Sequence, residues 1–177
     1  MKYDYDCGPT SIALLLSAYG VNEYKPRELI KIFKTTKNGT DWRRINKFLK
    51  ELKTFNVEDY MSVSRARKYL NNKIPLFICW DVEGKYSHYS VLLKMDELNA
   101  IILDPEDRKR FTSHELSEFK KYWRPYRYWF MRLIPKMKSK SVRSFTGAGA
   151  TGITEEPAKG QLNISKVEEW IKRAKIK

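Results

Sequence analysis

The apolar pattern of this chain changes from helical to strand period near residue 73, and that change limits the folds open to it. Before it, apolar residues recur three and four positions apart, as on helix faces. After it, they come in short runs separated by turn residues, as in strands. Pro9 sits where a helix N1 proline would, and Ser11 to Tyr19 continues as an apolar helix ending at Gly20. A second helix starts at Pro26, with Leu29, Ile30 and Phe33 on one face. Asn38-Gly39 is a turn signal, after which Thr40 or Asp41 caps a third helix carrying Trp42, Ile45, Phe48, Leu49 and Leu52. Ser64 caps a short fourth helix to Leu70. The strand signals are Ile74 to Val82, Ser87 to Lys94 and Ala100 to Leu103, joined by turns at Glu83-Gly84-Lys85 and Asp96 to Asn99. Ser113 then caps a helix through Trp123, and Tyr126 to Ile134 is a last, aromatic strand. Helices first and an antiparallel meander after them define the α+β class.

Composition bounds the rest. The chain has 177 residues and 42% hydrophobic residues, enough for one core-bearing domain plus an appendage. The domain is expected over residues 1–135. Residues 136–163 are basic and Ser-rich, then read Phe-Thr-Gly-Ala-Gly-Ala-Thr-Gly over 145–152, the composition of a linker. Within residues 164–177, Ser165 caps an amphipathic helix with Ile164, Val167, Trp170, Ile171 and Ala174 on one face. It is too short to stand alone in water and is expected to dock on the domain or on a partner. No stretch reaches the roughly 18 apolar residues of a membrane span, and Lys2, Asp4 and Asp6 argue against a secretory signal. Two cysteines make no disulfide framework, and no C-x-x-C pair offers a zinc site. No cofactor or metal is expected.

Three segments carry chemistry. Asp6-Cys7-Gly8-Pro9-Thr10-Ser11 places a thiol at a helix N-terminus, where the positive end of the helix dipole favours a thiolate. His88 lies on a strand after a hairpin turn, in Lys85-Tyr86-Ser87-His88-Tyr89-Ser90-Val91-Leu92. Asp104 ends the next strand, in Leu103-Asp104-Pro105. His88 and Asp104 are 16 residues apart with a turn midway, so an antiparallel pair brings them together. A nucleophilic thiol needs a base, and the base needs an orienting group. Alone, each residue has an ordinary reading: a core cysteine, a hydrogen-bonded strand histidine, a turn aspartate. The other members of each type are structural. Cys79 reads as core, and His114 as a solvated first-turn residue after Ser113.

The three segments, in this order, resemble the double-glycine, bacteriocin-processing cysteine peptidases and their relatives with a papain-like fold. Ser64 to Trp80 is similar to that family's short helix leading into a core strand, so the resemblance covers about residues 1–135. It implies a papain-like peptidase domain cutting a peptide or protein substrate, with Cys7 as nucleophile, His88 as general base and acid, and Asp104 orienting the imidazole. One position departs from the pattern. The family's Gln, six residues before the Cys, is Met1 here, and the chain's one Gln is Gln161. The backbone N–H of Cys7 and a Tyr3 or Tyr5 hydroxyl remain as oxyanion donors. The motif also stands almost at the start of the sequence, leaving no room for an upstream cleft-lining extension. No Walker pattern marks the ATP-transporter modules that often follow such domains.

The net charge of +14 suggests an anionic neighbour. Nine Lys and Arg against two acids fall between Tyr24 and Lys50, and eleven against four between Glu106 and Lys140. The second stretch interleaves Tyr122, Trp123, Tyr126, Tyr128 and Trp129, which would suit nucleic-acid contacts. The simpler reading is solvated helix faces with the aromatics packed on the sheet. A rival to the peptidase is therefore an inactive papain-like subunit of a larger assembly, such as a phage particle or ribonucleoprotein. It would dock through its basic surface and residues 141–177. The location expected is cytoplasmic or within such a particle, a virion included.

Overall fold

The computed structural model describes residues 5–106, 111–136 and 162–175. Helices α1 (Cys7–Ala18), α2 (Pro26–Ile32) and α3 (Trp42–Glu51) come first. Strand β1 (Phe55–Met61) and helix α4 (Val63–Asn71) follow. Next come strands β2 (Leu76–Val82), β3 (Tyr86–Met95), β4 (Asn99–Leu103) and β5 (Phe111–Glu115). Helix α5 (Leu116–Trp123), strand β6 (Trp129–Pro135) and helix α6 (Ile164–Lys175) complete the described chain. The six strands form one sheet in the order β1-β6-β2-β3-β4-β5, and every neighbouring pair is antiparallel. The α+β class is as expected. The meander is modified, because β6 returns to lie between β1 and β2.

Both faces of the sheet are covered. Alternate side chains of β2 explain this: Phe77 points to one core and Ile78 to the other, so Leu76 to Trp80 are all apolar and buried. The Phe77 core takes Ile12, Leu15 and Leu16 of α1, with Leu29 of α2 and Ile45 and Leu49 of α3. The Ile78 core takes Ala66 and Leu70 of α4, with Leu116, Phe119 and Trp123 of α5. The β2–β3 hairpin turns on Glu83 and Gly84, both at positive φ (51° and 73°), and closes with Lys85 N–H on the Val82 carbonyl.

Four local expectations need correction. Residues 55–61 form a strand that the sequence pattern did not show. Helix α1 begins at Cys7, so Pro9 is its third residue, where a missing N–H still costs nothing. The α4 cap is Ser62, whose side chain accepts from Arg65 N–H. Ser113 caps nothing. It lies within β5, paired with Ile101, and α5 starts only at Leu116. Strand pairing outweighed the local capping signal.

The final helix packs on its own domain. Val167 and Ile171 are buried in the Phe77 core beside α1. Asn163, not Ser165, caps it, accepting from Lys166 N–H at 2.9 Å. The Asn163 N–H donates to the Ala18 carbonyl at 2.8 Å, and Lys166 Nζ donates to the Ser17 carbonyl at 2.9 Å. A cation on the last carbonyls of α1 also complements that helix's dipole. The expected Gly/Ala/Thr linker falls almost wholly on residues 137–161, outside the described residues.

Candidate active site

Local packing sets the thiol. Cys7 is the first residue of α1, and Thr10 N–H makes the opening helical bond to the Asp6 carbonyl at 3.0 Å. Gly8 allows the close approach that follows. A Cβ there would stand 3.1 Å from Thr40 Cβ and 3.3 Å from Tyr89 Cδ2, tighter than side chains ordinarily pack. Ser11 Oγ donates to the Tyr89 carbonyl at 3.0 Å. The start of α1 is thereby held against β3, one residue from His88.

His88 is fully buried. Its Nε2 lies 2.8 Å from Asp104 Oδ1, and the same oxygen accepts the Glu106 N–H at 2.8 Å. The register explains the meeting. Val91 pairs with Leu103, so the chain leaving β4 passes beside the β3 residues that precede Val91. Trp80 and Tyr86 pack edge-on to the imidazole, with ring centroids 6.4 and 6.2 Å away. Trp80 is fixed in turn by its Nε1 donating to Ser90 Oγ at 3.1 Å.

Electrostatics favour a charged ring. Burial alone would push the imidazole down. The hydrogen bond to Asp104, the proximity of Cys7 and the charge of Asp104 outweigh it and raise His88 to about 10. Burial would push Asp104 up, but the hydrogen bond and charge of His88 and the Glu106 N–H hold it below the usual carboxylate value. Cys7 is thus a neighbour of the ring, while the buried Nδ1 has no aligned hydrogen bond. Sulfur and ring are in proximity without a formed N–H···S bond, a common resting geometry for such pairs.

The other candidates sort as follows. Cys79 is buried in β2. Burial, then the charges of Cys7 and Asp81, push its thiol up to about 12, so it stays neutral. His114 is a β5 residue and not a helix first-turn residue. Its ring packs on Trp80 at 5.1 Å, and its Nε2 lies 3.0 Å from Thr112 Oγ1. Met1 and Tyr3 lie outside the described residues, while Tyr5 is described as a half-buried turn residue ahead of α1. Trp123, one of the aromatics that base stacking would need, is fully buried. Glu106 was not singled out from sequence. Its Oε1 lies 3.4 Å from His88 Nδ1, and its Oε2 accepts from Tyr86 Oη at 2.6 Å. The signal was its place, two residues after Asp104 on the same turn.

Known proteins share this arrangement of elements. Residues 2–131 match the Peptidase C39 family. The pediocin PA-1 transport/processing ATP-binding protein PedD of Pediococcus acidilactici is 29% identical over 118 residues, 67% of this chain and 16% of that protein. The chain therefore spans about a sixth of that relative's length. The peptidase domain of Streptococcus ComA, a bifunctional ABC transporter of a quorum-sensing pathway, superposes with a TM-score of 0.66 at 24% identity. The match covers 77% of this chain and 96% of that one. A double-glycine-motif protease from an AMS/PCAT transporter, solved with its leader peptide, gives a TM-score of 0.58 at 17% identity. That match covers 77% and 89%. The structural likenesses show the papain-like fold. Among the described residues no helix is long and apolar enough to cross a membrane.

Proposed function

This chain belongs to the Peptidase C39 family, and from that premise we propose that it is a cysteine peptidase cutting a peptide substrate after a double-glycine leader. Residues 1–135 form its peptidase domain, and the helix Ile164–Lys175 is an appendage docked upon it. Cys7 is the nucleophile, His88 the general base and acid, and Asp104 the group that holds the ring. One observation carries this reading: a buried histidine with a carboxylate on Nε2, beside a thiol at a helix N-terminus.

The chemistry follows from the geometry. With its thiol proton passed to His88, the Cys7 sulfur attacks the scissile carbonyl carbon. The carbonyl oxygen becomes an oxyanion beside the N-terminus of α1, where the Cys7 backbone N–H is a first-turn donor. The C–N bond breaks as the imidazolium gives its proton to the leaving amine. A water, deprotonated by His88, then hydrolyses the thioester and restores the thiol. Asp104 keeps its charge throughout and holds the ring orientation.

The leader-directed substrate is taken from the relatives, whose names describe processing of exported peptides and a bound leader peptide. The assembly-subunit reading has no comparable support, and Val167 and Ile171 of α6 are buried in the chain's own core. The test is direct. The purified protein is incubated with a peptide carrying a Gly-Gly leader junction, and the products are read by mass spectrometry. Cleavage after the second glycine, abolished in Cys7→Ala, is expected. An intact peptide, or cleavage that survives Cys7→Ala, refutes the proposal.

A further inference from the structure

We propose that Glu106 is a positioning residue of this site, a second carboxylate that acts with Asp104 to hold His88 charged and correctly placed beside Cys7. The inference rests on the peptidase reading for its purpose, but its geometry stands independently. Most glutamates after a turn point into water. This one is engaged inward at three atoms. Its backbone N–H donates to Asp104 Oδ1 at 2.8 Å, its Oε2 accepts from Tyr86 Oη at 2.6 Å, and its Oε1 lies 3.4 Å from His88 Nδ1. The segment Asp104-Pro105-Glu106 therefore places a carboxylate near each nitrogen of one imidazole.

The two carboxylates act differently. Asp104 is hydrogen-bonded to the ring. The Glu106 contact is not a hydrogen bond, because the Nδ1–H is not aligned on it. Glu106 thus supplies charge without competing along the N–H direction for the proton that Cys7 must exchange. With only about a quarter of its side chain exposed, that charge is partly shielded from solvent screening. Tyr86 fixes it there. Burial, then the Glu106 hydrogen bond and the nearby charges of Glu106, Asp104 and Cys7, push the phenol well above its ordinary value, so it remains a neutral donor. The titratable groups facing His88 among the described residues are Asp104, Glu106 and Cys7. Tyr86 also packs edge-on to the ring and donates to Glu106, His114 acts on Asp104, and Cys79 accepts from the His88 backbone.

The test is the titration of the His88 ring, followed by NMR in the full chain, for the wild type, Glu106→Gln and Tyr86→Phe. This readout needs no turnover, so it can fail or succeed whatever becomes of the peptidase reading. Removing a charge at this distance should lower the His88 midpoint by about one pH unit in Glu106→Gln. Tyr86→Phe, which frees the carboxylate without removing it, should lower it by less. A His88 midpoint unchanged in Glu106→Gln would overturn the proposal, even if that variant cleaved peptide poorly. If Glu106→Gln does not fold, an unchanged midpoint in Tyr86→Phe overturns it instead. Failure of the peptidase reading would show separately, as an absence of cleavage with the His88 shift intact.

Discussion

Ser11 and Tyr89 are 78 positions apart, and a hydrogen bond of 3.0 Å from the Ser11 hydroxyl to the Tyr89 carbonyl fastens the thiol helix to the histidine strand. Ser11 is fully buried, so this bond has no water to replace it. Ser11→Ala should cost about 1 kcal/mol of stability, the usual net value of such a bond. Cleavage should fall by more than that loss implies, since α1 can then slide and change the Cys7–His88 spacing. Urea unfolding and kcat/KM, measured together, check this. A stability loss with unchanged kcat/KM would show that the bond does not set the site.

The docking of α6 makes a separable prediction. Val167 is fully buried in the core it shares with α1, and the cap of its helix, Asn163, bonds to Ala18 at the opposite end of α1 from Cys7. Val167→Ala should destabilise the protein by about 1–2 kcal/mol through lost burial and a small cavity. Peptide cleavage at a temperature where the variant is folded should stay near wild type. An unchanged urea midpoint would mean that α6 is not held on the domain in solution.

The His88–Asp104 pair links stability to pH with a definite sign. His88 is raised in the folded chain from an ordinary 6.5 to about 10. Its contribution is therefore complete below pH 6.5 and is lost as pH rises through 10. Asp104 is lowered from 3.8, so its contribution is complete above that value and is lost as pH falls through the lower folded value. The stability advantage of the wild type over His88→Gln should be largest near pH 5–6 and shrink steadily toward about pH 10. Urea unfolding of both proteins at about pH 6, 8 and 10 tests the sign. A difference that stays constant, or grows with pH, contradicts the assigned ionisation.

The parts of this molecule that were legible in the sequence are those where local pattern and tertiary role agree. Helices α2 and α3 carry their own periodicity, and the β2–β3 hairpin carries Gly84 at its turn. Cys7, His88 and Asp104 could be grouped because a helix start and a strand pair fix their approximate positions. Strand β1 was hidden because the alternation of Phe55 and Val57 breaks at Glu58-Asp59. Only Phe55 is buried there, and the strand exists because β6 pairs along its whole length. Ser113 looked like a cap because Thr-Ser-His-Glu precedes a helix, but pairing with β4 claimed it first. Glu106 was marked only by its place two residues after Asp104, and that spacing alone does not give it a role. Its role depends on where a turn after β4 aims one carboxylate, which is a three-dimensional fact.

The central claim is that Cys7 is a nucleophile activated by His88. The most direct measurement is covalent labelling by a peptide that ends in a thiol-directed electrophile, with adducts mapped by mass spectrometry in the wild type and His88→Ala. The account predicts one adduct, on Cys7 and not on the buried, neutral Cys79, slowed by about 10²-fold or more in His88→Ala. No Cys7 adduct at any pH between about 6 and 9, or equally fast labelling without His88, would contradict it.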